Sequence, residues 1–168
     1  MIQILLFAVA LSATPAPQPT AASGCVASES RQFDFWVGEW DVKDLQTGVG
    51  SAHSRIERLY GGCAIRESWV EPSLSGGSLN AYSRLDQRWH QMWVDQSGAV
   101  REFVGGLEAG KMVLVTHSRT GDGRAATVRM TFTPNPDGTV RQFSDYSLDA
   151  GATWKVRYDY LYSRARPK

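Results

Sequence analysis

Ten short segments of alternating apolar and polar residues, each closed by a turn signal, limit what this 168-residue chain can become. They span residues 40–43, 50–59, 63–70, 78–83, 88–95, 100–106, 112–118, 126–133, 140–147 and 154–162. The punctuation is Gly61-Gly62, Gly76-Gly77, Ser97-Gly98, Gly121-Asp122-Gly123, Asn135-Pro136-Asp137-Gly138 and Ala150-Gly151. Glycine and asparagine accept the positive φ of a tight turn, and proline presets its own φ. No connection is long enough for a crossover helix, so each strand is expected to pair with its sequence neighbours. The pattern predicts an all-β fold, a roughly ten-stranded antiparallel up-and-down barrel rather than a Greek-key sandwich.

Upstream of the first strand stands Phe33-Asp34-Phe35-Trp36-Val37-Gly38. Ser28 and Ser30 precede this aromatic cluster as helix-capping residues, which predicts a short helix or turn ending at Gly38. Such a segment is expected to plug one end of the barrel with its three rings.

A period of two gives every strand two faces. Ile65, Glu67 and Trp69 share one face, as do Trp89, Gln91, Trp93 and Asp95. The last strand carries Trp154, Val156, Tyr158, Tyr160 and Tyr162 on one side. Faces richest in large aromatics are expected to point inward, because they bury the most apolar area. Two of those faces carry polar groups, and an inward carboxylate needs partners, water or a raised pKa. An aromatic lumen with a few polar groups describes a ligand cavity. The candidate ligand-binding residues are Glu67, Trp69, Asn80, Tyr82, Gln91, Trp93, Asp95, Gln142, Tyr158 and Tyr160. The alternative is that Glu67 forms a structural ion pair, with Arg129 as the suggested partner.

Residues 1–24 divide from the rest by composition. An apolar run over 2–11, followed by a Pro/Ala/Thr/Ser stretch, reads as a secretory signal peptide and linker. The apolar run is too short to span a bilayer, so no transmembrane span is expected. Residues 25–168 then form a single barrel domain, exported to a periplasm or secreted. Cys25 and Cys63 are the only cysteines, and an even pair in an exported chain is a disulfide candidate. Two alternatives stand beside the bridge: Cys63 is a small buried apolar residue, or Ala22-Ser23-Gly24-Cys25, which resembles a bacterial lipobox, makes Cys25 a lipidated terminus.

Gly38-Glu39-Trp40 resembles the G-x-W signature of lipocalins and other calycins. In those barrels the tryptophan packs across the closed end, and an arginine near the last strand stacks on it. Arg164 stands where that arginine is expected. The stretches 33–42, 61–69, 78–82 and 89–95 are similar to uncharacterised exported bacterial proteins of the nitrobindin-like and fatty-acid-binding-like calycin type. Nitrobindins bind haem through a histidine near the C-terminus, whereas the last histidine here is His117. No cofactor is therefore expected. Ser147-Leu148-Asp149-Ala150-Gly151-Ala152-Thr153-Trp154 resembles the Asp-box hairpin of sialidases, which implies a turn between the last two strands and no glycosidase chemistry.

The remaining chemistry is limited. A net charge of +1 offers no basic face for nucleic acid, and the basic tail after Tyr162 is too short to supply one. His53, His90 and His117 lie on three different strands without metal-ligand spacing, so no metal site is expected. Nucleophile-elbow, P-loop and dinucleotide motifs are absent. Three functions remain open. The leading one is a carrier or sensor for a small apolar, aromatic or amphipathic molecule. The second is a small enzyme using Glu67 and Asp95 as acid and base. The third is a structural or interaction module with a solid core. The oligomeric state is open.

Overall fold

The computed structural model describes residues 25–166. The expected leader falls on residues 1–24, outside that range. Among the described residues no helix is long and apolar enough to cross a membrane. Two 3₁₀ turns, Ser28–Arg31 and Asp34–Trp36, lead into ten strands. These are β1 (Gly38–Asp44), β2 (Gly50–Leu59), β3 (Ala64–Val70), β4 (Ser75–Ser83), β5 (Arg88–Asp95), β6 (Val100–Glu108), β7 (Lys111–Arg119), β8 (Ala125–Pro134), β9 (Val140–Ser147) and β10 (Lys155–Arg164). Every strand pairs antiparallel with its sequence neighbours, and β1 pairs with β10 from Trp40↔Arg164 to Asp44↔Tyr160. The barrel is closed, all-β and up-and-down, with a calycin-like architecture.

The aromatic segment forms the plug. Phe33 and Trp36 are fully buried and stack on each other at 4.8 Å between ring centres. Phe33 meets Trp89 of β5 at 5.7 Å and Phe132 of β8 at 4.9 Å; Trp36 meets Tyr162 of β10 at 6.1 Å. Full burial of each such ring is worth about 1.5–3 kcal/mol. One cost accompanies this packing: the buried Trp36 indole N–H has no acceptor among the described residues. Serine capping does not occur. Ala27 occupies the first cap position, and neither turn has a side-chain cap.

Gly38 takes φ 144°, and a β-carbon there would lie 1.8 Å from Arg164 Nη1. That space lets Arg164 lie over the Trp40 ring, its guanidinium carbon 3.9 Å from the centroid, and donate to the Val37 carbonyl at 2.9 Å. Trp40 in turn donates its indole N–H to the Trp36 carbonyl at 2.8 Å. The glycine, tryptophan and arginine of the sequence signature thus form one clasp across the barrel seam.

Three local expectations change. Gly76 and Gly77 do not turn the chain; they lie inside β4, opposite Asp95 and Val94. A β-carbon on Gly76 would come within 2.8 Å of the Trp93 ring, and one on Gly77 within 2.4 Å of the Glu67 carbonyl oxygen. They are glycine because neighbouring strands approach there. In β10 the register shifts between Val156 and Tyr158, so the face reverses upstream of that bulge. Tyr158, Tyr160 and Tyr162 face the lumen, whereas Val156 is exposed and Trp154 stacks outside under Arg129 at 4.1 Å. Finally, β6 and β7 pair only from Val104↔Val115 to Glu108↔Lys111. Beyond that point the wall parts into a cleft bordered by residues 100–102 and 116–120.

The Asp-box stretch is a turn between β9 and β10, as its resemblance implies. Asp149 accepts from the Thr153 amide at 2.9 Å and the Thr153 hydroxyl at 2.5 Å, and Ser147 donates to it at 2.7 Å. These bonds, the Thr153 hydroxyl foremost, lower its carboxyl to about 2.

Cys25 and Cys63 are joined in a disulfide 38 residues apart in sequence. With its sulfur in the bridge, Cys25 has no thiol for a lipid thioether. Replacing both cysteines by serine should lower stability by about 3–4 kcal/mol in equilibrium denaturation, on the loop-entropy account. Arg164→Ala should cost about 1–2 kcal/mol, and Arg164→Lys should recover only part of it, because the planar guanidinium both stacks and donates. Equal stability of the lysine variant and the unaltered protein would remove the stacking from that account.

Candidate functional site

The plug fills one end of the barrel, and the other end stays open. On β3, Ile65 faces the plug, Glu67 sits one pleat further, and Trp69 follows toward the open rim. Beyond Ile65 a cavity of about 230 Å³ remains. Its walls are Trp69, Trp93, Phe103, Tyr158, Tyr160 and Tyr162, with polar groups from Glu67, Gln91 and Gln142. Glu71, Asp95, Arg101 and Arg157 add charge to its lining. Arg101 and Arg157 also border the β6–β7 cleft, so the two openings meet at these guanidiniums.

The rings form a connected wall. Tyr158 and Tyr160 stack at 4.7 Å, Tyr160 lies 5.6 Å from Trp69, and Trp69 meets Trp93 edge-on at 6.5 Å. Burial pushes the Tyr158 hydroxyl up to about 12 and raises those of Tyr160 and Tyr162, so all three stay protonated at neutral pH.

The two inward carboxyls have opposite environments. Glu67 is buried and accepts from the Ser54 and Ser78 hydroxyls, each at 3.0 Å. No cation pairs with it among the described residues. Burial outweighs the two serine bonds and raises its pKa to about 7. The suggested ion pair with Arg129 is not formed, because Arg129 lies outside the barrel and grips Asp145 through Nε at 3.1 Å and Nη2 at 2.6 Å. Asp95, near the rim, is saturated. Its Oδ1 accepts from the Ser97 amide at 3.0 Å and hydroxyl at 2.5 Å; its Oδ2 accepts from Trp93 Nε1 at 3.1 Å and Arg101 Nη1 at 3.2 Å. These bonds, the Ser97 hydroxyl first, hold its carboxyl well below the usual carboxylate range.

Of the sequence candidates, Glu67, Trp69, Gln91, Trp93, Asp95, Gln142, Tyr158 and Tyr160 line the cavity. Asn80 and Tyr82 do not. Asn80 is buried outside that lining, donating to the Ile65 carbonyl at 3.1 Å and to Ser78 Oγ at 2.9 Å. Tyr82 packs toward the plug, 6.2 Å from Trp89. Alternation along a strand says nothing of depth along the barrel. Phe103 and Met130 were legible by the same alternation yet stood among less aromatic faces, while Arg101 and Arg157 were not marked as lining residues. Arg157 reaches the rim because of the β10 bulge, which alternation alone does not disclose.

The three histidines lie outside the cavity. His53 faces Asp41 at 3.4 Å, His90 bonds Asp86 at 2.8 Å, and His117 borders the outer cleft. Among the described residues no cluster of three or more His, Cys, Asp or Glu is arranged to hold a metal. No protein-family model matches the chain, and no curated protein matches it significantly.

The Glu67 environment has a consequence for stability. A carboxyl whose pKa rises from 4.5 to about 7 on folding binds its proton more tightly in the native state. Its contribution is full below about pH 4.5 and is lost as pH rises through about 7, a swing of about 3 kcal/mol. Denaturation measured from pH 5 to pH 8 should show unaltered protein losing stability relative to Glu67→Gln by that order. Parallel curves would place the carboxyl in a wetter setting than its burial implies.

Proposed function

We propose that this protein is an exported carrier or sensor that holds one small apolar, aromatic or amphipathic molecule in the open half of its barrel. The observation that carries the reading is the division of the lumen. Rings fill the plugged end to contact, whereas rings of the same kind beyond Ile65 enclose a cavity of about 230 Å³. A structural barrel has no need of space lined by aromatics and amides, and such a lining is what orients and desolvates a small ligand. The volume suits one or two rings. The resemblance to exported bacterial calycins of the nitrobindin-like and fatty-acid-binding-like type supports the same use of the lumen. The disulfide is compatible with export, since such bridges persist in oxidising compartments.

A catalytic use of the cavity is the second reading. It is favoured by one observation, the separation of the Glu67 and Asp95 carboxyls in pKa within a shared lining. The four bonds already made to Asp95 weigh against it as a base, which leaves Glu67 as the one acid/base group of that pair. Full turnover by a Glu67→Gln variant of an active preparation would end that reading.

Native and denaturing mass spectrometry of protein purified from its own host should reveal a small molecule released on unfolding. Trp93→Ala should weaken binding of that molecule about tenfold or more, since a ring that walls the cavity contributes on the order of 1–2 kcal/mol. Unchanged affinity in that variant would exclude the cavity as the binding site.

A further inference from the structure

The hydrogen bonds around the cavity run in one direction. Gln91 Nε2 donates to Asn80 Oδ1 at 2.7 Å, Asn80 Nδ2 donates to Ser78 Oγ at 2.9 Å, and Ser78 Oγ donates to Glu67 Oε2 at 3.0 Å. From the other side, Ser54 Oγ donates to Glu67 Oε1. The opposite wall spends its donors as well. Tyr162 donates to Gln142 Oε1 at 2.6 Å, Gln142 Nε2 donates to the Tyr158 oxygen at 3.2 Å, and Tyr158 donates to Met130 Sδ at 3.0 Å. Two relays thus consume hydroxyl and amide protons within the wall. At Glu67 itself they leave acceptor capacity, its remaining lone pairs beside the Gln91 carbonyl, to which no described residue donates; the second Gln91 N–H, the Tyr160 hydroxyl and the Arg157 guanidinium are the donors that stay elsewhere in the lining.

The charges agree with this polarity. Three carboxyls, Glu67, Glu71 and Asp95, line the cavity against two guanidiniums, Arg101 and Arg157. Arg101 is engaged by Asp95, and Arg157 lies 5.6 Å from the Tyr158 ring centre at the rim. The cavity that Glu67 lines is also lined by Trp69, Tyr158, Tyr160 and Tyr162, rings whose negative faces attract a cation.

Resting on the ligand-binding reading above, we infer that the occupant is a small organic ammonium: a protonated amine whose N–H groups donate to Glu67 and Gln91 while its apolar body lies against Trp69, Trp93 and Phe103. The ammonium supplies the charge partner that Glu67 lacks among the described residues. It also supplies the donors that the converging relays leave wanting. The binding is non-covalent, and the one proton that moves is that of Glu67, released to solvent when the cation takes its place. Over the range pH 6–8 Asp95 stays ionised and the three tyrosines stay protonated; Glu71, Arg101 and Arg157 are the remaining charged residues of the lining.

The test compares three probes of similar shape on the oxidised full chain by calorimetry: 2-phenylethylammonium, 2-phenylethanol and phenylacetate. At pH 8 the ammonium should bind at least tenfold more tightly than the alcohol, and phenylacetate most weakly. Between pH 6 and pH 8 the ammonium affinity should rise about tenfold, because the ionised fraction of a carboxyl titrating near 7 rises from about a tenth to about nine-tenths. The alcohol should show no such rise. In Glu67→Gln, the preference for ammonium over alcohol should collapse. The pH series on unaltered protein tests the same point without any variant. Alcohol binding as well as the ammonium, or phenylacetate binding best and more tightly at pH 6, would overturn the ammonium assignment while leaving a ligand cavity in place. Failure of all three probes to bind would overturn the ligand-binding reading along with it.

Discussion

Arg164 lies against the Trp40 indole and reaches the carbonyl of Val37, so the end of the last strand is held by the residues that lead into the first. Barrel closure is a long-range event, because β1 and β10 are separated by nearly the whole described chain. Pairing them incurs a loop entropy that the local hairpins avoid. The clasp concentrates an indole, a guanidinium and a backbone acceptor at that seam, and Gly38 supplies the room. The plug depends on the same contact. Trp36 offers its carbonyl to Trp40, and its ring meets Tyr162 two residues before the arginine.

From this closed end the two halves of the lumen acquire different physics. Phe33, Trp36, Trp40, Trp89, Phe132 and Tyr162 pack to exclusion of solvent and carry the apolar stabilisation. One pleat beyond, the plug no longer reaches, and the same inward alternation encloses a space. Glu67 stands at that boundary. A carboxyl there is costly to ionise, yet two serine hydroxyls donate to it and, among the described residues, no cation pairs with it. Asp95 shows the contrast at the rim, where four donors settle the charge within the protein. The two carboxyls of one lining thus differ in whether the protein itself supplies a charge partner.

The strand count, the hairpin order and the inward aromatic faces were all legible in the alternation, since period two is a local property of extended backbone. The clasp was legible through its resemblance to the calycin signature. Gly76 and Gly77 misled because two adjacent glycines carry the same mark whether they turn a chain or admit a neighbouring strand; only the proximity of Trp93 and Glu67 distinguishes the cases. Trp154 and Val156 were placed on the wrong face because one bulged residue reverses every side chain upstream of it. Asn80 and Tyr82 had the right face and lay outside the cavity, since depth along the barrel follows from stagger between strands rather than from the order of residues within one.

The amino-acid sequence by itself determined the all-β barrel, its plugged end and the residues eligible to line its interior, because hydrophobic period, turn chemistry and ring size act over a few neighbouring residues. The tertiary structure alone decided which eligible residues share a cavity, that Arg129 meets Asp145 outside while Glu67 has no cation partner among the described residues, and that the β6–β7 wall parts beside Arg101 and Arg157. Those outcomes depend on register and closure, which bring together side chains far apart in the chain and leave no local trace of the meeting.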